Sequence, residues 1–435
     1  MRILLICLLS LIYGFVDSSI AQGIKHDSKD KLSFQECIRI SLTNSLEAKI
    51  GKEREKSAHE EINKYQAAYW PKISLLAECP LDEKSMDYSY SSNINARWEI
   101  FNKGRRYFAI EKAEKEYLSS QWQRRFIRQD MIHNTIFAYV QRDQCEEICL
   151  LAKDVLAEEE RRLKIVKARS EEGFVPEIDV VSVEAEIRQA QIALSKAISE
   201  LKISGFLLNH AMGIDINSTI EIEDIDYFWW NALIEEYKDI KDCFKMTFLN
   251  RLDYKIAECN LKAKKANLKR VCAEVWPKLF LETKYYPPIQ STKEPDNFTV
   301  GLTLDIPLFE GGLKKAQIKR AKAQVRIAQL EIQRLKKRID KQVVNAHEKL
   351  MNLQKEFCLQ EERLSFISKN LEAQKSLYNA GMSDINKLND AHQDYVSCRL
   401  KLSQLKGDIL LSFLLLLKKT EKIEAITEDL VLINP

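Results

Sequence analysis

The residues best equipped for chemistry in this chain stand at spacings that do not support it. His347-Glu348 begins like the zinc-hydrolase helix motif H-E-x-x-H, but Met351 takes the place of the second histidine. Cys145 and Cys149 stand four apart on one helical face, a spacing of neither zinc nor redox sites. Glu158-Glu159-Glu160 sets carboxylates side by side, but in a charged helical stretch. The six histidines are scattered, and no GxSxG, P-loop or CxxC occurs. With no nucleophile beside a base, the sequence reads as that of a non-enzyme without cofactor or metal. A net charge of +3 argues against a nucleic-acid surface.

The elements that would position any site are long. The 435 residues hold only 12 Gly and 9 Pro, where average usage gives about 30 and 22. Few breakers among many Glu, Lys, Ala, Leu and Gln predict long helices. From Asn102 to Glu172 there is no Pro and a single Gly, and Leu313 to Ala380 has neither. Seventy residues at 1.5 Å make a rod of about 100 Å, which needs partners along its length. A seam at Cys145, Cys149, Ala152, Leu156, Leu163 and Val166 predicts a coiled coil, weakened where Glu159 or Glu160 falls on it. Ala316, Ala321, Ala323 and Ala328 permit close helix approach. Each rod reverses at a glycine: Gly173-Phe174-Val175-Pro176 and Ala380-Gly381-Met382-Ser383.

The chain is also written twice. Cys37, Asn44, Leu46, Lys49-Ile50 and Trp70-Pro71 recur as Cys243, Asn250, Leu252, Lys255-Ile256 and Trp276-Pro277 at an offset of 206. Phe101, Gly104 and Gly173 recur as Phe309, Gly312 and Gly381 at an offset of 208. Each half reads as helix, strand, strand, long helix, turn, helix. The first helix of each half closes at its Trp-Pro pair. Strands are predicted over about 72–80, 88–101, 278–286 and 298–308. In the first, Ile73, Leu75, Ala77 and Cys79 share a face; in the second, Tyr88, Tyr90, Ile94, Ala96, Trp98 and Ile100 do. In the last, Phe298, Val300, Leu302, Leu304, Ile306 and Leu308 alternate with Thr299, Gly301, Thr303 and Asp305. Such runs suit tilted strands crossing a bilayer with their apolar face on lipid, though a half-buried soluble sheet alternates in the same way.

Arg2, the apolar run 3–13 and the small-x-small site Ser19-Ile20-Ala21 predict a secretory signal peptide over 1–21, with no lipobox at Cys7. Nine cysteines then remain, spread singly over helical patterns, and no disulfide is expected to be required. The first repeat would span 22–213, a linking segment 214–241, the second repeat 242–417 and a tail 418–435.

This ordered set resembles the TolC family of outer-membrane efflux proteins over almost all of the mature chain. The carriers are the Trp-Pro pairs, Trp98-Glu99-Ile100-Phe101-Asn102-Lys103-Gly104, Ile306-Pro307-Leu308-Phe309-Glu310-Gly311-Gly312, and the two glycine tips. The resemblance implies a mainly α fold with membrane β: α-hairpins building a periplasmic α-barrel, and four strands per chain completing a twelve-stranded barrel in a homotrimer. It implies an outer-membrane channel of a tripartite efflux or type I secretion system. The channel would conduct passively from an inner-membrane pump and a periplasmic adaptor to the exterior. Adaptor contacts map to Gly173, Phe174, Gly381 and Met382. A closed entrance maps to Tyr378 paired with Asp179. Of two acidic ring positions, Asp390 fills one and Lys387 the other. Ser383 stands where some members have a basic latch. Asp179 and Asp390 also suit first helical turns, where the dipole favours acids. The apolar run Ile409 to Leu417 is too short to span a membrane and would pack near the middle of the helical barrel, the family's equatorial region, with 214–241 and the tail. The competing reading is a periplasmic coiled-coil scaffold or adaptor without a pore; lipid-facing alternation in all four strands separates the two.

Overall fold

The computed structural model describes residues 31–78, 91–225, 227, 234, 251–286 and 297–420. The expected signal peptide, Cys79, Tyr88, Tyr90, most of 226–250 and the tail beyond 420 lie outside the described residues. A capping box of Ser33 and Glu36 opens α1 (Phe34–Asn44), and α2 (Leu46–Ala67) follows. One continuous helix was expected here. The chain instead breaks at Ser45, whose extended ψ of 134° lets its hydroxyl cap the Glu47 N–H. Then come β1 (Lys72–Glu78), β2 (Ser91–Phe101), α3 (Arg105–Glu171) and α4 (Glu177–Met212). The second half repeats the order with α5 (Leu252–Ala273), β3 (Lys278–Tyr286), β4 (Asn297–Asp305), α6 (Leu313–Asn379) and α7 (Ile385–Lys419).

The strands form one antiparallel sheet in the order β1-β2-β3-β4. Directly opposed residues share a face, so register fixes which side chains lie together. Ile73 meets Ala96, Leu75 meets Ile94, Trp98 meets Leu281, and Leu302 meets Leu281 from the other side. Leu304 meets Leu279, and Phe298 meets Tyr285. One mainly apolar face therefore crosses all four strands, interrupted by Thr283 between Ala96 and Val300 and by Ser92 opposite Ala77. The other face carries Asn93, Asn95, Arg97, Glu282, Lys284, Thr299 and Thr303. There Arg97 bridges to Glu282 at 3.0 Å and lies 4.2 Å over the Phe280 ring. A bulge between Glu99 and Phe101 ends the regular pairing of β2.

The last strand is shorter than expected. It ends at Asp305, so Ile306 and Leu308 are not strand residues. Pro307 has no N–H for a ladder and restricts the residue before it.

Both α3 and α6 contain 67 residues, about 100 Å each. Among the described residues no helix is long and apolar enough to cross a membrane. Next to the sheet, α3 packs against α2 and α5, and α6 against α5. Towards the tips, α4 lies along α3 and α7 along α6, and α7 also touches α3. The main core sits at the midpoints of the two rods. Ile409, Leu410, Phe413, Leu414, Leu416 and Leu417 pack there on Ile132, Ile136, Val140, Ala346 and Leu350. A neighbouring cluster gathers Cys37, Tyr139, Leu208 and Met212. It is tied by a parallel bridge between Leu32 and Ile222 and by the Tyr139 hydroxyl, which donates to the Glu223 carbonyl at 2.7 Å. The seven cysteines of the described residues are unpaired.

Candidate functional site

Two places in this fold are built beyond what packing requires: the tip end of the hairpins and the apolar face of the sheet. At the tips both rods end in the same turn. The N–H of Phe174 donates to the Arg169 carbonyl at 2.9 Å, and that of Gly173 to Ser170 at 3.0 Å. In the second repeat Met382 donates to Leu377 at 2.9 Å and Gly381 to Tyr378 at 3.0 Å. These crossed bonds satisfy the last carbonyls and need a left-handed residue, supplied by Gly173 (φ 79°) and Gly381 (φ 71°). Phe174 and Met382 project into solvent at 76% and 78% exposure, and the space around both glycines is open. Each tip thus offers one large apolar side chain beside a side-chain-free notch.

Just behind the tips lies a buried cluster of Val166, Val183, Ile385 and Leu388, with Tyr378 packed against it. The Tyr378 hydroxyl donates to Asp179 Oδ2 at 3.2 Å, joining α6 to the first turn of α4. Burial, then the Asp179 charge and hydrogen bond, push the phenol up to about 12. The tyrosine therefore stays a neutral donor throughout the physiological range. Lys387 and Asp390 are exposed on α7. Helix α7 begins at Ile385 with Asp384 as its cap, so Asp390 is not in the first turn, contrary to expectation. Ser383 bonds Gln374 at 3.1 Å within its own hairpin.

A second polar junction lies deeper and was missed in the sequence. Glu159, expected on a solvated charged stretch, is only 3% exposed. His392 Nδ1 of α7 lies 2.8 Å from its carboxylate, and Arg162 Nη1 3.5 Å from the other oxygen. Arg162 also donates to Asn389 Oδ1, and the Asn389 amide donates to Ser182 Oγ at 3.0 Å. Three helices, α3, α4 and α7, meet in this network, so it ties one hairpin to the other. The only local hint was an acid on the apolar seam; its partner His392 lies in the other repeat, and Arg162 and Asn389 are 227 residues apart.

At the sheet, Phe298, Val300, Leu302 and Leu304 are between 57% and 67% exposed, and Ile73 and Leu75 are 72% and 69% exposed. A soluble sheet would cover such a face with helices. Here the helices continue the strands end to end and leave it bare. Ile306 and Leu308 extend the apolar surface past the strand end.

Comparison with known proteins fits this arrangement. The family described as outer membrane efflux protein matches residues 40–213 and again 245–418, most of the chain. The chain belongs to that family. Among solved structures, this outer membrane efflux protein superposes on CusC with a TM-score of 0.77 at 16% identity, covering 89% of this chain and 91% of that one. It superposes on VceC of Vibrio cholerae with a TM-score of 0.76 at 14% identity, covering 89% and 95%. For the open state of MtrE of Neisseria gonorrhoeae the TM-score is 0.73 at 17% identity, covering 89% and 88%. Among curated proteins it is 22% identical to protein CyaE of Bordetella pertussis over 323 residues. That match covers 69% of this chain and 65% of CyaE, a little under two thirds of the relative.

Proposed function

We propose that this protein is the outer-membrane channel of a tripartite efflux or type I secretion system, assembled as a homotrimer with its helices in the periplasm. The observation that carries this reading is the open four-stranded sheet. It has a mainly apolar face that crosses all four strands and two unpaired edges, β1 and β4, at the head of two hairpins about 100 Å long. Four strands cannot close a barrel, and open edges are not tolerated in lipid. Three copies supply twelve strands and close it. Phe298, Val300, Leu302 and Leu304 then meet lipid, and the Arg97–Glu282 face lines the pore.

The tips are the periplasmic entrance. Gly173-Phe174 and Gly381-Met382 are the contacts for a periplasmic adaptor, which links the channel to an inner-membrane pump. Tyr378 and Asp179 hold the entrance closed by fastening the α6–α7 hairpin to the α3–α4 hairpin. Lys387 and Asp390 form a mixed-charge ring at the entrance, which discriminates cations less than two acidic rings would. Transport is passive, with no covalent chemistry at any step.

The mass of the detergent-extracted assembly from a separated outer-membrane fraction tests the reading. Three chains per particle, with discrete conductance in planar bilayers, are expected. A soluble periplasmic monomer would overturn it in favour of a coiled-coil scaffold.

A further inference from the structure

One stretch of surface carries a charge pattern that the fold does not ask for. Between Glu310 and Glu331, at the start of α6, the chain has six cations and no acid. A helix N-terminus favours acids, and α6 has none in its first turn. Four of the six, Lys315, Lys319, Lys322 and Arg326, recur at spacings of four, three and four and so form one stripe. All four are exposed, and among the described residues none has an acidic partner. Lys314, off the stripe, bridges to Glu310 at 3.6 Å.

The internal repeat supplies a control. At the offset of 208, the counterparts on α3 are Tyr107, Glu111, Glu114 and Leu118. The same place in the first repeat is filled without a single cation, so neither packing nor the sheet requires the stripe. Neighbouring α5 adds to it. Lys269 meets Glu111 at 3.4 Å, and Lys265, one turn further from the sheet, is exposed and unpaired among the described residues. Their counterparts on α2, at the offset of 206, are Asn63 and His59.

The stripe faces outward. The bore of a channel stays open, so segments that wrap the rods lie outside it. Leu32, Phe34 and Ile222 wrap α3 at Tyr139. Glu114 and Leu118 stand 25 and 21 residues before Tyr139, about seven and six helical turns, and so share its face. Lys322 and Arg326 take that face on α6 by the repeat, and Lys315 and Lys319 stand about two turns above them.

Position decides what the stripe meets. It begins just after β4 ends at Asp305, below the apolar sheet face. Leu308 and Phe309, between the two, are 91% and 89% exposed. Lys315 to Arg326 covers about 17 Å along α6. The headgroup layer is about 5–7 Å deep on each side of the hydrocarbon. Lys315 and Lys319 reach it with their long side chains, and Lys322 and Arg326 lie within about two Debye lengths below it.

We propose that the outer face of α5 and α6, just beneath the sheet, binds the anionic headgroups of phospholipids in the periplasmic leaflet. Lys265, Lys315, Lys319, Lys322 and Arg326 supply ammonium groups and a guanidinium to the phosphate surface. This inference rests on the outer-membrane channel reading and adds a lipid class and a place. The second repeat of each copy grips anionic lipid, and the first does not.

Tryptophan quenching tests it on the purified full-length protein in vesicles. Trp98 on the apolar sheet face and Trp70 and Trp276 at its base are exposed reporters. Acyl-brominated phosphatidylglycerol should quench them with an apparent affinity about five-fold above that of brominated phosphatidylcholine, the worth of one cation at an anionic surface. The preference should vanish in about 0.5 M salt, where the Debye length is about 4 Å. The combined variant Lys315→Gln, Lys319→Gln, Lys322→Gln, Arg326→Gln should lose it. The combined variant Arg334→Gln, Lys337→Gln, Arg338→Gln, Lys341→Gln makes the same charge change about 25 Å further along α6 and should keep it. No preference in the wild type, a preference that salt leaves unchanged, or equal losses in the two variants overturns the headgroup site. Should the first variant fail to insert, the salt dependence of the wild type still decides. Native mass and vesicle insertion are measured alongside. A trimer that inserts without lipid preference leaves the channel reading intact. A chain that stays soluble and monomeric overturns that reading, and the site with it. Soluble glycerophosphoglycerol is the last arm and should not bind the detergent-extracted trimer. Saturable binding that the first variant abolishes would assign the stripe to free phosphate compounds and overturn the lipid assignment.

Discussion

Placing a charge on the apolar sheet face distinguishes a lipid-facing sheet from a soluble one. Leu302 lies near the centre of the nine-residue β4, opposite Leu281, and is 67% exposed. Nine residues at about 3.3 Å give a strand of about 30 Å. Tilted by about 40°, it spans about 23 Å of membrane depth, close to the apolar band of an outer-membrane barrel. Leu302 then sits close to the midplane, where a lysine costs about 2–4 kcal/mol per copy. Three copies make that about 6–12 kcal/mol per trimer, and each copy alone represents roughly a 30- to 1000-fold shift against assembly. Leu302→Lys should thus abolish the membrane-assembled trimer, read as the heat-sensitive high-mass band of an outer-membrane fraction. Leu304→Lys, one residue from the strand end, should cost only about 0–1 kcal/mol if it lies at the interface. Thr303→Lys, on the opposite face, should assemble normally. Wild-type yield for Leu302→Lys, or equal losses for Leu302→Lys and Thr303→Lys, would refute the assignment of the faces.

Four further outcomes are expected. Tyr378→Phe and Asp179→Asn should each raise the conductance of the purified channel in planar bilayers, since a hydrogen bond to a charged group is worth about 1.5–3 kcal/mol. The double variant should rise no further than the stronger single, and unchanged conductance would remove the latch. Because the Tyr378 phenol is raised to about 12, its contribution is complete below about pH 10, the ordinary tyrosine value, and is lost as pH rises through 12. Closed-state conductance should accordingly be flat from pH 7 to 10 and climb above that, a rise absent in Tyr378→Phe. His392→Ala leaves the buried Glu159 with Arg162 alone, and should destabilise by about 1.5–3 kcal/mol, the worth of a hydrogen bond to a charged group, seen as a lowered Tm. Gly381→Val forces a β-branched residue into the left-handed region at an open tip, and should abolish crosslinking to the adaptor while trimer yield stays normal.

The architecture was legible in the sequence because it is periodic and repeated. Alternation in 298–304 gave the face of β4, and the scarcity of Gly and Pro gave the rods. The tip glycines gave the reversals, and the family resemblance brought Tyr378 to Asp179. What escaped depends on partners distant along the chain or on competition between neighbours. Glu159 looked solvated because His392 and Asn389, which contact it and Arg162, lie in the other repeat. The break at Ser45 was hidden because both flanking segments are good helix formers, and only the serine's capping geometry separates them. The strand end at Asp305 was overrun because Ile306 and Leu308 keep the alternation going after Pro307 has stopped the ladder.

The placement of α7 has a consequence for biogenesis. Its apolar segment Ile409–Leu417 is the piece that covers Ile132, Ile136 and Val140 in the middle of α3, made nearly three hundred residues earlier. A chain emerging from its N-terminus carries that stripe uncovered until almost the whole protein has been made. Exposed apolar stripes of this kind favour chaperone binding and proteolysis, so a chain that stops short of residue 409 is expected to be degraded faster than the full-length protein.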